Sequence, residues 1–331
     1  MSHRIRPGFT LVEMLTVVVI IGILMAMLVP AIQSARERAR QTQCINHQKE
    51  LASAMTQYET AKEQFPGYAN RVGPPAPTHI AASWVVPLLP YLSRNDLWTM
   101  WRDGTAHVVS NGAEQGHAFL ELLVCPSNYV AATPGNPSPL AYVVNCGMPE
   151  DSAHGSGPTA TPPGPPDFAR NGVFHNHDLA NRRLEVKVSA TDIKDGAAQT
   201  LMLGETLRTT DWAEHAATEV AGGFTWELAG GPDPTDAEHL VGPTPSMPAV
   251  GRLKITSDPP APGQLSSNHS GGAIVTFCDG HTQFLRSDIS YRVYQHLMTP
   301  NGSEARRQET GPAPKANPAN LAGGLSESDY K

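Results

Sequence analysis

An apolar run near the N-terminus constrains this chain more than any other feature of its sequence. From Phe9 to Val29 there are 21 residues, and Glu13 is the single charged residue among them. A helix of that length crosses a hydrocarbon core of roughly 30 Å. Because a carboxylate is costly in lipid, Glu13 must have a role that offsets this cost. We therefore predict a transmembrane helix over residues 9–30 with a functional acid near its start.

The residues before this run differ from an ordinary secretory signal. Such a signal has its small cleavage-site residues after the apolar stretch, whereas here Gly8 stands before it. A cut after Gly8 would keep the whole helix on the mature chain and make Phe9 its first residue. The basic residues Arg4 and Arg6 predict that the leader, residues 1–8, stays in the cytoplasm and that the rest is exported.

Residues 8–13, Gly-Phe-Thr-Leu-Val-Glu, resemble the cleavage and N-methylation motif of type IV pilins and type II secretion pseudopilins. The resemblance implies that a prepilin peptidase cuts after Gly8 and methylates Phe9, and that Glu13 pairs with the terminal amine of a neighbouring subunit. Such pairing is favourable because each of these charges is costly in lipid when unpaired. The implied partners are this peptidase, other pilin-like subunits and the bacterial inner membrane. The alternative is a plain N-terminal anchor.

The helix is predicted to continue beyond the membrane as an exported half over residues 31–63. The segment Gln33–Lys62 contains no Gly or Pro, and Pro30 is expected to kink or locally melt the helix before it. Apolar residues recur there at three- and four-residue steps, which indicates one buried helix face. These residues are Ile45, Leu51, Ala52, Met55 and Tyr58.

Short strands between turns are predicted for the rest of the chain. Residues 141–145, 184–188, 200–203 and 223–227 have strand-like composition, and a short helix is expected from Asn95. Asp279-Gly280 predicts a hairpin with a two-residue turn, in which Val275 lies opposite Phe284 and Phe277 opposite Thr282. The expected fold is α+β and pilin-like: the long N-terminal helix packs on a β-rich antiparallel head, residues 64–298, before a disordered tail, residues 299–331.

Composition and motifs limit the function classes. The formal net charge is −7, and an acidic balance argues against nucleic-acid binding. The chain contains no Gly-x-Ser-x-Gly, no Gly-rich phosphate loop and no His-Glu-x-x-His, so we predict neither an enzyme nor a cofactor. The alternative to a structural subunit is a membrane-tethered module whose exported head binds a carbohydrate or a peptide.

Four cysteines occur at positions 44, 125, 146 and 278, without a Cys-x-x-Cys pair. Export permits disulfide bonds. Cys125 and Cys146 flank a loop rich in Pro and Asn, and a bridge between them would close it. Cys44 and Cys278 are then expected to be free thiols.

A second resemblance extends along most of the chain. His269 is followed after nine residues by Asp279-Gly280, a spacing similar to a C-terminal signature in a large bacterial family of uncharacterised pilin-like proteins. Further segments match that family in order: 39–46, 125–127, 172–174, 193–196 and 200–205. The family has also been likened to extracellular solute-binding proteins. The resemblance implies a class and a location but no ligand.

The histidines near the C-terminal hairpin have two interpretations. His269, Asp279 and His281 could ligate a divalent ion. Alternatively, Asp279-Gly280 forms the hairpin turn, and the His269 side chain forms a hydrogen bond to a backbone group before the strand. We predict the fold role and no metal.

Two other polar groups are open candidates. His175 and His177, two residues apart, suit a metal if they share one face of a strand, whereas on a loop they are ordinary surface groups. Glu205 is either a ligand or a buried acid paired with Arg252 or Lys254. The sequence does not decide between these roles.

Overall fold

The N-terminal helix, α1 (Leu11–Lys62), is 52 residues long and dominates the molecule. The computed structural model describes residues 11–74, 79–107, 109–110, 113–128, 133, 136–147, 169, 171–178, 185–214, 223–225, 263, 265–286, 289 and 291–302. Gly8 and Phe9, the last leader residue and the predicted first residue of the mature chain, lie outside this part. Most of the predicted tail also lies outside it.

The first part of α1 is apolar and exposed. Its long apolar side chains from Leu11 to Ile32 are between 41% and 80% accessible, and its length and composition suffice to cross a membrane. The helix runs without interruption through Pro30, so of the two predicted effects of that residue local melting is wrong, and a kink stays a prediction. A proline removes one hydrogen bond, and the remaining bonds of a helix this long hold both sides of the gap together.

The second part of α1 is built into the head. The predicted apolar stripe is confirmed: Leu51, Ala52 and Met55 are buried, and Ile45 and Tyr58 are partly buried against the same core. The face also includes buried Cys44, Gln48 and Ala54. Each fully buried large apolar side chain stabilises such packing by about 1.5–3 kcal/mol.

A five-stranded sheet forms the centre of the head. It consists of β5 (Pro139–Gly147), β6 (Leu201–Asp211), β7 (Gly223–Thr225), β8 (Gly272–Phe277) and β9 (Thr282–Arg286), in the order β7-β5-β6-β8-β9. Neighbouring strands are antiparallel except for β5 and β7, which are parallel. The expected β-rich and mainly antiparallel head is therefore confirmed.

Smaller elements lie around this sheet. Two antiparallel hairpins precede it in sequence. One helix lies between these two hairpins, and another follows the last strand of the large sheet. Their bounds are β1 (Ala69–Val72), β2 (Ile80–Ser83), α2 (Asn95–Arg102), β3 (Val109–Ser110), β4 (Ala113–Glu114) and α3 (Tyr291–Met298).

Helices pack on both faces of the sheet. On one face, Tyr142 of β5 and Ile274 of β8 share a core cluster with Leu51 of α1. On the other face, Val275 of β8 packs in a second cluster with Leu297 of α3. Successive strand residues point to opposite faces, which is why adjacent residues of β8 belong to different clusters.

The strand predictions at 141–145, 200–203 and 223–227 coincide with β5, β6 and β7, although residues 226 and 227 lie outside the described residues. Helix α2 begins at Asn95 as expected. Residues 185–188 do not form a strand. Val188 is buried, and its carbonyl accepts a hydrogen bond from the Phe65 N–H (2.7 Å). The apolar character of this segment thus reflects burial below the end of α1 and not sheet pairing.

The β8–β9 hairpin has a register one residue away from the predicted one. Val275 lies opposite Gln283, and Ile274 lies opposite Phe284. The loop has three residues: the Phe277 N–H donates to the His281 carbonyl (2.9 Å), and the Gly280 N–H donates to the Phe277 carbonyl (2.9 Å). Only Gly280 in this loop has a left-handed φ, +86°, whereas the predicted type I′ turn requires positive φ at two residues.

The predicted boundary between the head and the disordered tail, at residue 299, is placed too early in the chain. The Pro300 carbonyl accepts hydrogen bonds from the N–H groups of Lys194 (2.7 Å) and Asp195 (3.0 Å). The Gly302 N–H donates to Asp195 Oδ2 (2.6 Å). Residues 299–302 are therefore part of the packed head, because they satisfy the backbone of the 193–196 turn.

Candidate functional site at the junction of helix and head

Five side chains from distant parts of the chain meet where α1 enters the head. They come from α1, from the segment before a short 3₁₀ helix (Pro126–Asn128), from β6 and from the loop before β8. We call them the junction cluster: Glu37, Cys44, Cys125, Glu205 and His269.

His269 is at the centre of the junction cluster. Its side chain is completely buried; Nδ1 lies 2.6 Å from Glu37 Oε1, and Nε2 lies 3.3 Å from Glu205 Oε1. Nε2 is also 3.6 Å from Cys125 Sγ. The prediction that this side chain bonds to backbone is therefore wrong, because its two ring nitrogens face carboxylates.

The two carboxylates decide the charge of His269. Burial by itself lowers the pKa of an imidazole, but hydrogen bonding and charge from Glu205 and then Glu37 outweigh it, so the pKa of His269 is raised. The cluster thus favours an imidazolium between two acids. Glu37 keeps 31% of its side chain accessible and also lies 3.7 Å from Arg40, so the site is open to solvent on the α1 side.

Glu205 is buried on β6 and is held by the neighbouring strand. Its Oε2 accepts a hydrogen bond from the Ile274 N–H (2.9 Å), which leaves Oε1 facing His269. Tyr142 lies opposite Glu205 in the β5–β6 register; burial and then the Glu205 charge raise the pKa of Tyr142. The partners predicted from sequence, Arg252 and Lys254, lie outside the described residues.

A disulfide bond joins Cys44 on α1 to Cys125, at a sequence separation of 81 and with a Cα–Cα distance of 5.2 Å. The predicted bridge between Cys125 and Cys146 is therefore wrong. Cys44 lies on the helix face that packs on the Cys125 segment, whereas Cys146 is buried in β5 and packs closely on Gly223. The expectation that Cys44 is a free thiol is also wrong, while Cys278 is a buried free thiol as expected.

Further hydrogen bonds tie α1 to the head beside the junction cluster. The Ser127 hydroxyl donates to Glu37 Oε1 (3.1 Å) and Oε2 (3.2 Å). Gln48, buried on α1, donates from Nε2 to the Ile274 carbonyl (2.9 Å) and accepts from the Thr276 hydroxyl (2.8 Å). The helix is thus fixed to the sheet by a covalent bond, an ion-pair network and a buried amide.

Most of the segments that carry the family resemblance fall into two groups in space, while segment 172–174 instead donates hydrogen bonds to the Asn145 carbonyl of β5. Segments 39–46, 125–127 and 200–205, together with His269, each contribute to the junction cluster. Asp279 belongs to the second group: its N–H donates to the Ala197 carbonyl (3.1 Å), so the hairpin turn packs on the segment after residues 193–196.

Asp279 and His281 do not share a site with His269. Asp279 Oδ1 accepts from the His281 N–H (3.0 Å) and lies 2.6 Å from His281 Nδ1. The His281 ring stacks on Phe277, with ring centroids 4.2 Å apart. These contacts support a turn role for the pair, in line with the fold interpretation of the sequence.

His175 and His177 each bond to backbone through Nε2, to the Gly172 carbonyl (3.0 Å) and the Val186 carbonyl (2.9 Å) respectively. Burial lowers the pKa of His177 to about 4. Two rings with separate carbonyl partners hold the chain locally, so this pair gives no indication of a metal site.

Sequence reasoning missed Glu37. It lies seven residues before Cys44, and two helical turns place both on one face of α1. That spacing is a signal only once the buried face is known, because Glu37 precedes the apolar stripe and resembles an ordinary surface acid.

Two family models match this chain, one over its N-terminal apolar run and one over most of the remaining residues. The family model described as "Protein of unknown function (DUF1559)" matches residues 33–291. The model described as "Prokaryotic N-terminal methylation motif" matches residues 4–29.

Curated relatives match a smaller part of the chain. "Type II secretion system core protein G" of Pseudomonas aeruginosa is 38% identical over 66 residues, 20% of this chain and 46% of that protein. "Type IV major pilin protein PilA" of Myxococcus xanthus is 35% identical over 66 residues, 20% of this chain and 30% of that protein. "Fimbrial protein" of Neisseria meningitidis serogroup B is 32% identical over 83 residues, 25% of this chain and 49% of that protein. The chain thus spans about half the length of these relatives or less. No solved structure matches it.

Proposed function

We propose that this chain, which belongs to the family described as proteins of unknown function (DUF1559), is a pilin-like structural subunit. In this proposal it is anchored in the bacterial inner membrane by the first part of α1 and carries its head on the extracytoplasmic side. It assembles with other pilin-like subunits, in a pilus or in a secretion pseudopilus. One observation carries the proposal: a single continuous helix is apolar and exposed in its first half and locked into a folded head in its second half.

The exposed half of α1 supports helix-to-helix assembly. Its side chains from Leu11 to Ile32 are largely accessible although they are apolar. Water is an unfavourable environment for such a surface, whereas lipid and the matching helices of neighbouring subunits are favourable ones. Lipid would cover this surface in subunits that remain in the membrane, and neighbouring helices would cover it in an assembled filament.

Processing prepares the start of the helix for assembly. The methylation motif covers residues 4–29, and cleavage by a prepilin peptidase after Gly8 would give Phe9 a new cationic amine. Glu13 lies within the first turn of the described helix. Within an apolar assembly, its carboxylate is stabilised by that amine on a neighbouring subunit, because the pair removes two unpaired charges from lipid.

The junction cluster holds α1 and the head together as one unit. When a subunit assembles through α1, its head takes a fixed position in the assembly only if the helix and the head move together. The Cys44–Cys125 bond and the contacts of His269 with Glu37 and Glu205 make that connection. The tethered binding module considered from the sequence is not favoured, since the similar curated proteins are pilins and a secretion core protein.

The proposal is tested by replacing Glu13 with Val in cells that contain a prepilin peptidase. Thr16→Val is the matched control, since Thr16 lies one turn further along and its hydroxyl bonds to the Glu13 carbonyl (3.0 Å). Mass spectrometry first establishes whether the membrane-bound proteins begin at methylated Phe9. Chemical cross-linking of intact cells then measures the oligomers.

We expect the same N-terminus and the same amount in the membrane for wild type and both variants, and a loss of cross-linked oligomers for Glu13→Val alone. An N-terminal peptide that begins at Met1 or Ser2 in the mature membrane pool would contradict the processing. Oligomers that persist unchanged in Glu13→Val would contradict the assembly role of the acid.

A further inference from the structure

A second cluster of ligand-type side chains lies far from the junction cluster, at the β3–β4 hairpin. His107 Nδ1 lies 2.8 Å from Glu114 Oε2, and His117 Nε2 lies 2.7 Å from the same oxygen. All three atoms are within 4.8 Å of one another. We propose that these three side chains form a binding site for one divalent transition metal ion, with Zn²⁺ as the best match.

The backbone holds the two arms of the hairpin close together. The Gly116 N–H donates to the Ala106 carbonyl (2.7 Å), and a Cβ at Gly116 would lie only 2.5 Å from the Ala106 Cβ. His107 and His117 each follow one of these two residues, so their rings are brought together, with centroids 5.7 Å apart. The ligands are therefore placed by the fold before any ion binds.

A mostly buried carboxylate, Asp211, helps to orient His117 in the way that metal-binding histidines are oriented. Asp211 Oδ2 lies 3.6 Å from His117 Nδ1, and Ser138 Oγ lies 3.3 Å from the same nitrogen. Because the Ser138 hydroxyl donates to Asp211 Oδ1, its oxygen accepts from Nδ1–H. The proton is thereby held on Nδ1 and the lone pair of the ring on Nε2. The Asp211 carboxylate acts here through the Ser138 hydroxyl, and a hydrogen bond from the second ring nitrogen is typical of zinc-binding histidines.

The lone pair on His117 Nε2 then faces a carboxylate oxygen. This nitrogen is buried and makes no contact of hydrogen-bond geometry among the described residues, although Glu114 Oε2 is only 2.7 Å away. Two lone pairs at that distance repel each other, so the contact needs a positive charge, which either a proton on Nε2 or a metal ion bound by both groups supplies.

The donor set defines the class of ion. Two imidazoles and one carboxylate, with a fourth position open to solvent, are a common set for zinc. The hard ions Ca²⁺ and Mg²⁺ prefer oxygen ligands throughout. Ligand atoms around a tetrahedral zinc ion lie about 3.3 Å apart, so both contacts of Glu114 need to lengthen by roughly half an ångström, which the accessible side chains of Glu114 and His107 permit.

The test uses the full-length chain in detergent, freed of metal with a chelator and kept non-reducing so that the Cys44–Cys125 bond stays closed. Zn²⁺ binding is measured by equilibrium dialysis with metal analysis, and in parallel by calorimetry at two pH values. The variants are His107→Ala and Glu114→Gln, which alter accessible side chains, and Asp211→Asn, which alters the orienting group. His281→Ala is the matched control, since His281 is also paired with an acid on a hairpin.

We expect one Zn²⁺ per chain, at least tenfold weaker binding in His107→Ala and Glu114→Gln, and about 10–100-fold weaker binding in Asp211→Asn. Affinity should fall as the pH is lowered, with proton release on binding, and His281→Ala should bind as wild type does. Circular dichroism confirms that the variants are folded. Absence of Zn²⁺ binding at micromolar concentration, undiminished binding in His107→Ala, loss in His281→Ala, or equal binding of Ca²⁺ would each overturn the proposal.

Discussion

The disulfide bond between α1 and the head has an effect on stability that can be worked out from its place in the chain. Cys44 and Cys125 are 81 residues apart, and in the chain-entropy treatment a loop of that length corresponds to about 4.5 kcal/mol of stabilisation. Both cysteines are buried, so replacement by alanine also leaves two small voids. We therefore expect Cys44→Ala/Cys125→Ala to lose about 4–5 kcal/mol of the free energy of unfolding.

Thermal unfolding of the full-length chain in detergent, followed by circular dichroism, measures this loss. For a domain of this size, 1 kcal/mol corresponds to a shift of about 2–4 °C in Tm, so the double variant should melt roughly 9–18 °C lower. Adding a reductant should lower the wild-type Tm by a similar amount and leave the double variant unchanged. Cys278→Ala is the control, because it removes a buried thiol without opening a cross-link.

Two results would refute this reasoning. One is a wild-type Tm that does not respond to a reductant able to reduce the protein completely. The other is a peptide map under thiol-blocking, non-reducing conditions in which Cys125 is linked to Cys146, the pairing that the sequence favoured. The first result would mean that the bond adds little to stability, and the second that α1 is attached to the head by non-covalent contacts alone.

Two further predictions concern the hairpin turn and the junction cluster. Gly280→Val should lower the free energy of unfolding by about 1–2 kcal/mol, since Gly280 has a φ of +86° that a β-branched residue adopts with strain. The control Gly280→Asn should retain most of the stability. Equal urea midpoints for wild type and Gly280→Val would contradict the predicted strain. Because the pKa of His269 is raised in the folded state, its contribution is complete below its unfolded pKa of about 6.5 and is lost as the pH rises through the folded pKa. Urea titrations from pH 5 to 9 should therefore show a wild-type advantage over His269→Gln that shrinks with rising pH, and an advantage independent of pH would count against the ion pairs.

The parts of the fold that depend on local pattern could be predicted from the sequence. The apolar face of α1 follows from three- and four-residue spacing alone, and Leu51 and Met55 are buried as that spacing requires. The β8–β9 hairpin was found from Asp279-Gly280, but its register was not, since two- and three-residue loops both place Gly280 at a position that favours glycine. The number of loop residues was decided by pairing of β8 with β9 and by the Asp279 N–H bonding to the Ala197 carbonyl.

The junction cluster lies beyond the reach of such patterns. His269 is 232 residues from Glu37 in sequence, and a spacing that long carries no information about contact until the strands and α1 are packed. The same reason explains the wrong disulfide: Cys146 is near Cys125 in sequence, whereas Cys44 is near it in space.

The sequence by itself determined the membrane-length apolar run, the isolated Glu13 and the long helix, because each depends on residues within a few helical turns of one another. Only the tertiary structure decided which cysteine bonds to Cys125, that His269 lies between two acids, and that His107 meets His117 beside Asp211. Those arrangements result from burying separate apolar faces of one chain against a common sheet, and the polar groups that meet there do so as a consequence of that packing.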